Sequence, residues 1–475
     1  MRCRLWFILA EPVVTQINLE PAVWAEENFG TCELGDARRT RRAVQVAQQM
    51  AEHPQGSTPD QTENWGDLKA VYRLFAEADV TFEALAEPHW RATRRRARGV
   101  VLLIGDTMET DFGIHREIAG LGPTGDGRGR GFFLQSSLLV DAKSQEILGL
   151  AGQELFYRKA APKKENSYQA LQRARESETW GRVIDLVGPP AAGVQYIHVF
   201  DRGADNRDVF CHLVQQRGDW VIRAAQLHRK VHEVTDVGRG PAQSLRAVLN
   251  SRPLLGTYRL QVRATKDQTE RWAQIELRAA EVILPRPKRL TAYQKKTGKQ
   301  ELQQWVVEAR EVNPPPGVRA LHWVLWTSLP VNNLDDAWQI ITWYECRWLI
   351  EEFHKAIKTG CRLESRQYMT ADSLEAAAGI TSILAVRLVQ LKTVARSQPD
   401  LKAEQVIPAT WLRVLRVLRK APIKTVRDFY RQLAGLGGFL LRKRDGEPGW
   451  ITLWRGTDKL LLALRGYQAM KRNCG

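Results

Sequence analysis

Two aliphatic runs that each end on an aspartate constrain this chain more than any other feature. Val100-Val-Leu-Leu-Ile104 leads through Gly105 to Asp106, and Gln195-Tyr-Ile-His-Val-Phe200 leads directly to Asp201. The continuous β-branched and aliphatic run Val100–Ile104 suits a strand covered on both faces, and Gln195–Phe200 reads as another buried strand. Between them lies a glycine-rich bend, Gly120–Gly131, followed by Phe132–Val140 and Ile147–Glu154 across a short polar turn, which is a hairpin pattern. Ser167–Val187 and Arg207–Gln215 read as helices, and Trp220-Val-Ile-Arg223-Ala as a further strand.

A hairpin series of three strands, then helix, strand, helix and strand, is the ribonuclease-H-like order. The expected fold class is α/β. In that order the strands ending on Asp106 and Asp201 are neighbours, which puts two carboxylates side by side at one end of a sheet. Either aspartate alone would more often be a helix cap or turn former, and Asp205 reads as one. Residues 228–330 interrupt the pattern with a β-rich insertion: Tyr258–Ala264, Arg271–Leu284, Leu302–Val312 and Leu321–Trp326 are strand-like, separated by Pro285-Arg-Pro and Pro314-Pro-Pro.

A third acidic residue sits in Tyr344-Glu-Cys-Arg347-Trp-Leu-Ile-Glu351-Glu-Phe-His-Lys355-Ala-Ile-Lys358. On one continuous helix at about 100° per residue, Tyr344, Arg347, Trp348, Glu351, Lys355 and Lys358 share roughly a third of the circumference. Leu349, Phe353, Ala356 and Ile357 then form the opposite, core-facing seam. A carboxylate among cations stays ionised, can hold a hard cation, and is flanked by groups that can hold a phosphate backbone. The plainer reading is a surface helix with an i,i+4 Glu351–Lys355 pair.

Charge decides what such a surface would meet. Seventy basic against 53 acidic residues leave a net charge of +17 and a pI near 9.7, which points to a polyanion, most simply nucleic acid. No apolar run approaches a bilayer-spanning length. The first ten residues resemble a signal peptide only faintly, because their apolar run is short and Glu11 interrupts it. Residues 1–20 are expected to be a disordered leader. Six scattered cysteines show neither metal nor disulfide spacing, so a reducing cytoplasm and an oxygen-held metal are expected.

The order Tyr344, Arg347, Glu351, Lys358 resembles the signature of the Tn-five-like, or IS-four, family of bacterial cut-and-paste transposases, in which this glutamate completes a D-D-E triad. The resemblance runs over about residues 21–475 and is densest at 344–392. It includes Leu34-Gly-Asp36 with Arg38 and Arg39, Val71-Tyr-Arg-Leu-Phe75, and Leu321-His-Trp323-Val-Leu-Trp-Thr-Ser-Leu-Pro-Val331. It implies a helical DNA-binding domain at 21–76, a ribonuclease-H-like catalytic domain at 77–395 and a helical dimerisation domain at 396–475. In the first, Asp36 would cap a helix carrying Arg38, Arg39 and Arg42, the residues implied to meet the element's terminal DNA. In the last, Val406–Arg419 and Val426–Leu433 read as helices, with Leu412, Leu415 and Leu418 open to either core or dimer seam.

By the same resemblance Asp106, Asp201 and Glu351 are catalytic and hold two Mg2+ or Mn2+ ions, roughly 3.5–4 Å apart in such sites. Trp323 would stack on a flipped nucleotide. Tyr344, Arg347 and Lys358 would hold nearby phosphates, with Lys355 and Arg223 as further contacts. The implied activity is cleavage, hairpin formation and strand transfer by a homodimer on the element's terminal repeats and target DNA, in the bacterial cytoplasm and nucleoid. The alternatives are a silent transposase-derived repressor and a nuclease that cuts without joining.

Overall fold

The structure, a computed structural model, describes residues 20–473 apart from 114–115, 117, 159–163, 165, 167–175, 263–268, 298–300 and 443–444. The first half of the helix expected at Ser167–Val187 lies outside the described residues; the described part is Thr179–Val187.

Five helices come first: Pro21–Phe29, Ala37–Glu52, Thr58–Gln61, Trp65–Phe75 and Phe82–Arg96. Asp36 does cap the second, its carboxylate accepting from Arg38 N at 2.7 Å. Ala43, Val46, Ala47 and Met50 follow the helical period and bury one face. That face joins Phe75, Phe82 and Trp90 in the same apolar core as Leu102 and Ile104.

The strands are β1 (Gly99–Glu109), β2 (Gly122–Thr124), β3 (Gly129–Gly131), β4 (Phe133–Asp141), β5 (Ile147–Phe156), β6 (Val194–Phe200) and β7 (Asp219–Arg223). Then come β8 (Lys230–Thr235), β9 (Gly238–Ser244), β10 (Gly256–Val262), β11 (Arg271–Leu284), β12 (Leu302–Val312) and β13 (His322–Thr327). β2 and β3 pair with each other. The remainder form one sheet in the order β5-β4-β1-β6-β7-β13-β12-β11-β8-β9, with β10 also on β11. The β1–β6 and β6–β7 pairs are parallel and β1–β4 and β4–β5 antiparallel, which is the ribonuclease-H-like arrangement. The insertion continues this sheet, because β13 pairs with β7 at Leu325 and Arg223. β8 and β9 are not predicted from the sequence, because Lys230–Thr235 and Gly238–Ser244 are polar or glycine-rich and bury almost no side chain.

Three expectations are corrected. Asp106 lies inside β1, paired with Ser136, not at the strand's end. The stretch 344–358 is not one helix: Leu334–Glu345 and Trp348–Lys355 are separated at Cys346–Arg347, and a π-turn, Ala356–Gly360, follows. Leu349 N and Ile350 N bond to the carbonyls of Cys346 and Arg347, three residues back. Each such tightened step advances the chain by about 120° instead of about 100°. The helix expected at Val406–Arg419 is also split, into Ala403–Val406 and Ala409–Arg419. Pro408 supplies no amide and disfavours helical geometry at Ile407.

The core-facing seam holds: Leu349, Phe353, Ala356 and Ile357 are buried. They meet the long helix Ala371–Ser397, whose Gly379 lies against Phe82. A Cβ there would stand 3.0 Å from the Phe82 carbonyl oxygen, so the glycine sets how closely the two helices approach. Residues 371–393 match a membrane span in length and hydropathy, yet 89% of that window is buried inside the protein. Beyond it, Trp411, Leu412, Leu415, Phe429, Leu433 and Leu460 form a separate core. Leu412 and Leu415 are thus internal, whereas Leu418 is exposed.

Candidate active site

β1 and β6 run parallel with Ile104 opposite Val199. Continuing that register by two residues brings Asp106 level with Asp201. Asp106 Oδ1 accepts from Thr107 N at 2.8 Å. Asp201 Oδ1 accepts from Gly203 N at 2.7 Å and caps the single turn Arg202–Ala204. Burial first, and then the charge of Asp201, push the Asp106 carboxyl up to about 6, against the pull of Thr107 N and Arg347; Glu351 adds to the upward push. The two aspartates therefore feel each other's charge directly.

Glu351 comes from the short helix Trp348–Lys355, which packs against β1. Its carboxylate is half exposed and takes an ion pair from Arg347, not from Lys355. The other arm of the same guanidinium lies 3.6 Å from Asp106 Oδ2. Arg347 thus stands between the strand-borne and helix-borne acids. Among the described residues no three histidine, cysteine, aspartate or glutamate side chains close into a metal cage. The donor set is nonetheless all carboxylate oxygen, with like charges on Asp106, Asp201 and Glu351, which suits a hard divalent cation.

Tyr344 corrects a further expectation. It is only 4% exposed, so it does not share the open cationic face with Glu351. Its ring meets Trp323 edge-on at 5.3 Å between centroids. Burial pushes its phenol up, while Arg223 and Arg347 beside it pull the other way. Arg223 also donates to His322 O at 3.2 Å. Trp323, half-buried on β13, therefore joins Tyr344, Arg223 and Arg347 in one group that borders the acids. Tyr344 and Glu351 lie on separate helices, Leu334–Glu345 and Trp348–Lys355, on either side of the break at Cys346–Arg347.

The two lysines part company. Lys355 is exposed, whereas Lys358 pairs with Glu364 at 3.0 Å. Glu364 also accepts from Asp111 N at 3.0 Å, a link that ties the end of this segment to the chain just beyond β1. Nothing in the spacing of Glu364 marked it. Asp205 is not the cap of the Arg207–Gln215 helix; Asn206 is. Asp205 is instead a buried tie, accepting from Ala225 N at 2.7 Å and paired with Arg229 at 2.5 Å.

The amino-terminal arginines stand apart from the acids. Arg38 is 82% exposed beside its cap partner Asp36. Arg39 is held by Glu77 and by Asp79 at 2.7 Å, and Arg42 by Asp67 at 2.6 Å.

Known families match three successive regions. A transposase DNA-binding family covers residues 21–80, a transposase DDE domain 173–387, and a Tn5 transposase dimerisation domain 383–473. The DDE match includes Asp201 and Glu351 and begins after Asp106. A cryo-EM structure titled a piggyBac transposase synaptic complex with hairpin DNA is similar over 93% of this chain and 85% of that one, with 9% identity and a TM-score of 0.37. That likeness is too loose to carry a residue across. A helical DNA-binding region, a mixed α/β core of the DDE type that implies divalent-metal dependence, and a helical dimerisation region follow one another along the chain. The chain belongs to the Tn5-like DDE transposases, enzymes of DNA transposition that bind DNA and dimerise.

Proposed function

We propose that this transposase cuts and joins DNA at Asp106, Asp201 and Glu351. The observation that carries the reading is the register that levels Asp106 with Asp201, together with the single arginine that links Asp106 to Glu351. These three side chains would hold two divalent cations, Mg2+ or Mn2+. Bound there, the cations would lower the cost of the charge that builds on the attacking and leaving oxygens during displacement at phosphorus. The protein's own groups position the strand. Arg347, Lys355 and Lys358 offer charge-assisted hydrogen bonds to phosphates, and Arg223 and Tyr344 line the way to Trp323. Trp323 would receive an unstacked base, an interaction worth about 1–3 kcal/mol.

The substrate is proposed to be the terminal inverted repeats of a bacterial insertion sequence, then target DNA, handled by a homodimer with each site acting in trans. Residues 21–76, with Arg38, Arg39 and Arg42, would grip the repeats after exchanging their internal carboxylates for phosphates. Residues 77–395 would carry the chemistry, with 228–330 as its insertion, and residues 396–475 the dimer contacts. The buried free thiols of Cys32, Cys211, Cys346 and Cys361 support a reducing, cytoplasmic setting on the nucleoid.

Glu351→Ala tests the assignment on a duplex bearing the inverted repeats that flank the reading frame. Metal-dependent nicking should vanish while gel-shift affinity for that duplex stays near wild type. Undiminished nicking would remove Glu351 from the site.

A further inference from the structure

Arg347 occupies an unusual position for a residue whose expected partner is DNA. Asp106 Oδ1 already accepts from Thr107 N, so Oδ2 is the oxygen with more of its lone pairs open to an outside cation. That oxygen is the one facing Arg347 Nη1, and Nη2 of the same group holds Glu351 Oε1. The arginine side chain is 22% exposed and that of Asp106 23%, so solvent screens this contact only in part. A guanidinium is planar and always charged, and its two arms span carboxylates that a single ammonium cannot.

The backbone accounts for its reach. Arg347 lies in the tightened turn between two helices, where Ile350 N bonds to its carbonyl in an i→i+3 step. Its side chain therefore runs back toward β1 instead of along the exposed face.

We propose that Arg347 is a resident counter-ion that closes Asp106 and Glu351 against divalent cations until a DNA phosphate draws the guanidinium away. The inference rests on the assignment of these carboxylates as metal-holding groups. Both competitors are oxyanions of matching fork geometry, so exchanging carboxylate for phosphate keeps the arginine paired. The two carboxylates left behind repel each other until a divalent cation arrives. Cation loading thereby follows DNA binding, and the free enzyme stays unloaded.

The test is Mn2+ binding to the full-length, DNA-free protein, read from the electron paramagnetic resonance signal of the free ion. Wild type, Arg347→Gln, Arg347→Lys, and Arg347→Gln combined with Glu351→Gln are compared, each with and without Asp106→Asn. Arg347→Gln should bind Mn2+ at least about tenfold more tightly than wild type, a size within the limits for removing one unit charge a few Å away. The added Glu351→Gln should cancel the gain, and Arg347→Lys should show a smaller one. Equal affinity in wild type, Arg347→Gln and Arg347→Lys, all lost on adding Asp106→Asn, would overturn the gate while leaving the carboxylates as ligands. Mn2+ binding that ignores Asp106→Asn would overturn both. If Arg347→Gln does not fold, the lysine variant decides alone: affinity equal to wild type overturns the proposal.

Discussion

Asp106→Asn should stabilise the protein when DNA and metal are absent. In the fold this carboxyl titrates near 6, against 3.8 for a free aspartate. Burial and the Asp201 charge are the main reasons, and Arg347 offsets them only in part. The folded chain thus holds a proton more tightly than the unfolded chain does. Stability contributed by the protonated group is complete below about pH 4, falls as pH rises toward 6, and is gone above it. A displacement of that size amounts to about 3 kcal/mol, and partial exposure of the side chain reduces this to about 2 kcal/mol. Asparagine keeps the shape, accepts from Thr107 N and carries no charge at any pH. Urea denaturation in EDTA, followed by tryptophan fluorescence from pH 4 to 8, measures the difference. Wild type and variant should coincide near pH 4 and separate by about 2 kcal/mol above pH 6, with the variant the more stable. A gap that is independent of pH, or that favours wild type at neutral pH, would refute the claim that the acids burden one another.

Other outcomes follow from the same geometry. Trp323→Ala should slow hairpin formation more than the first nick in a single-turnover assay on pre-cut and intact ends, because base stacking matters only once a nucleotide is displaced. Asp205→Ala strands Arg229 beside Trp326 and removes the acceptor of Ala225 N. It should cost about 3–5 kcal/mol in urea unfolding. His198 is buried on β6, and burial depresses its imidazole to about 3. Its contribution is therefore whole above about pH 6.5 and is lost as pH falls toward 3. Relative to its effect at pH 8, His198→Leu should gain about 2 kcal/mol of stability at pH 5.

The strands that bring Asp106 and Asp201 level are legible in the sequence, but the side-chain contacts around them are not. β11 and β12 are legible to the residue because Arg271–Leu284 and Leu302–Val312 are strand-like stretches that stop at Pro285-Arg-Pro and Pro314-Pro-Pro. Asp106 and Asp201 pair in the sequence reading because each follows a largely apolar run, although β1 continues past Asp106 to Glu109. The break at Cys346–Arg347 leaves no local signal, since Tyr-Glu-Cys-Arg-Trp contains neither glycine nor proline. Pro408 marks the split in the carboxy-terminal helix, but the periodicity of Leu412, Leu415 and Leu418 after it masks that signal. The Arg347–Asp106 and Lys358–Glu364 contacts depend on tertiary placement, so spacing within one helix suggested other partners. Pattern recovers what each element is made of, and it is weakest where two elements must share a side chain.

The strand ladder from β5 to β9 also has a mechanical meaning. Trp323 on β13 and Arg223 on β7 lie two strands and one strand from β6, which leads into Asp201, with Asp106 on β1 beyond it in the same hydrogen-bonded grid. On the proposed assignment, any load that bent nucleic acid placed on the tryptophan would be borne by a plate continuous with Asp106 and Asp201, so the gap between grip and blade would behave as a fixed gauge. Shortening a strand in that plate would detune both at once.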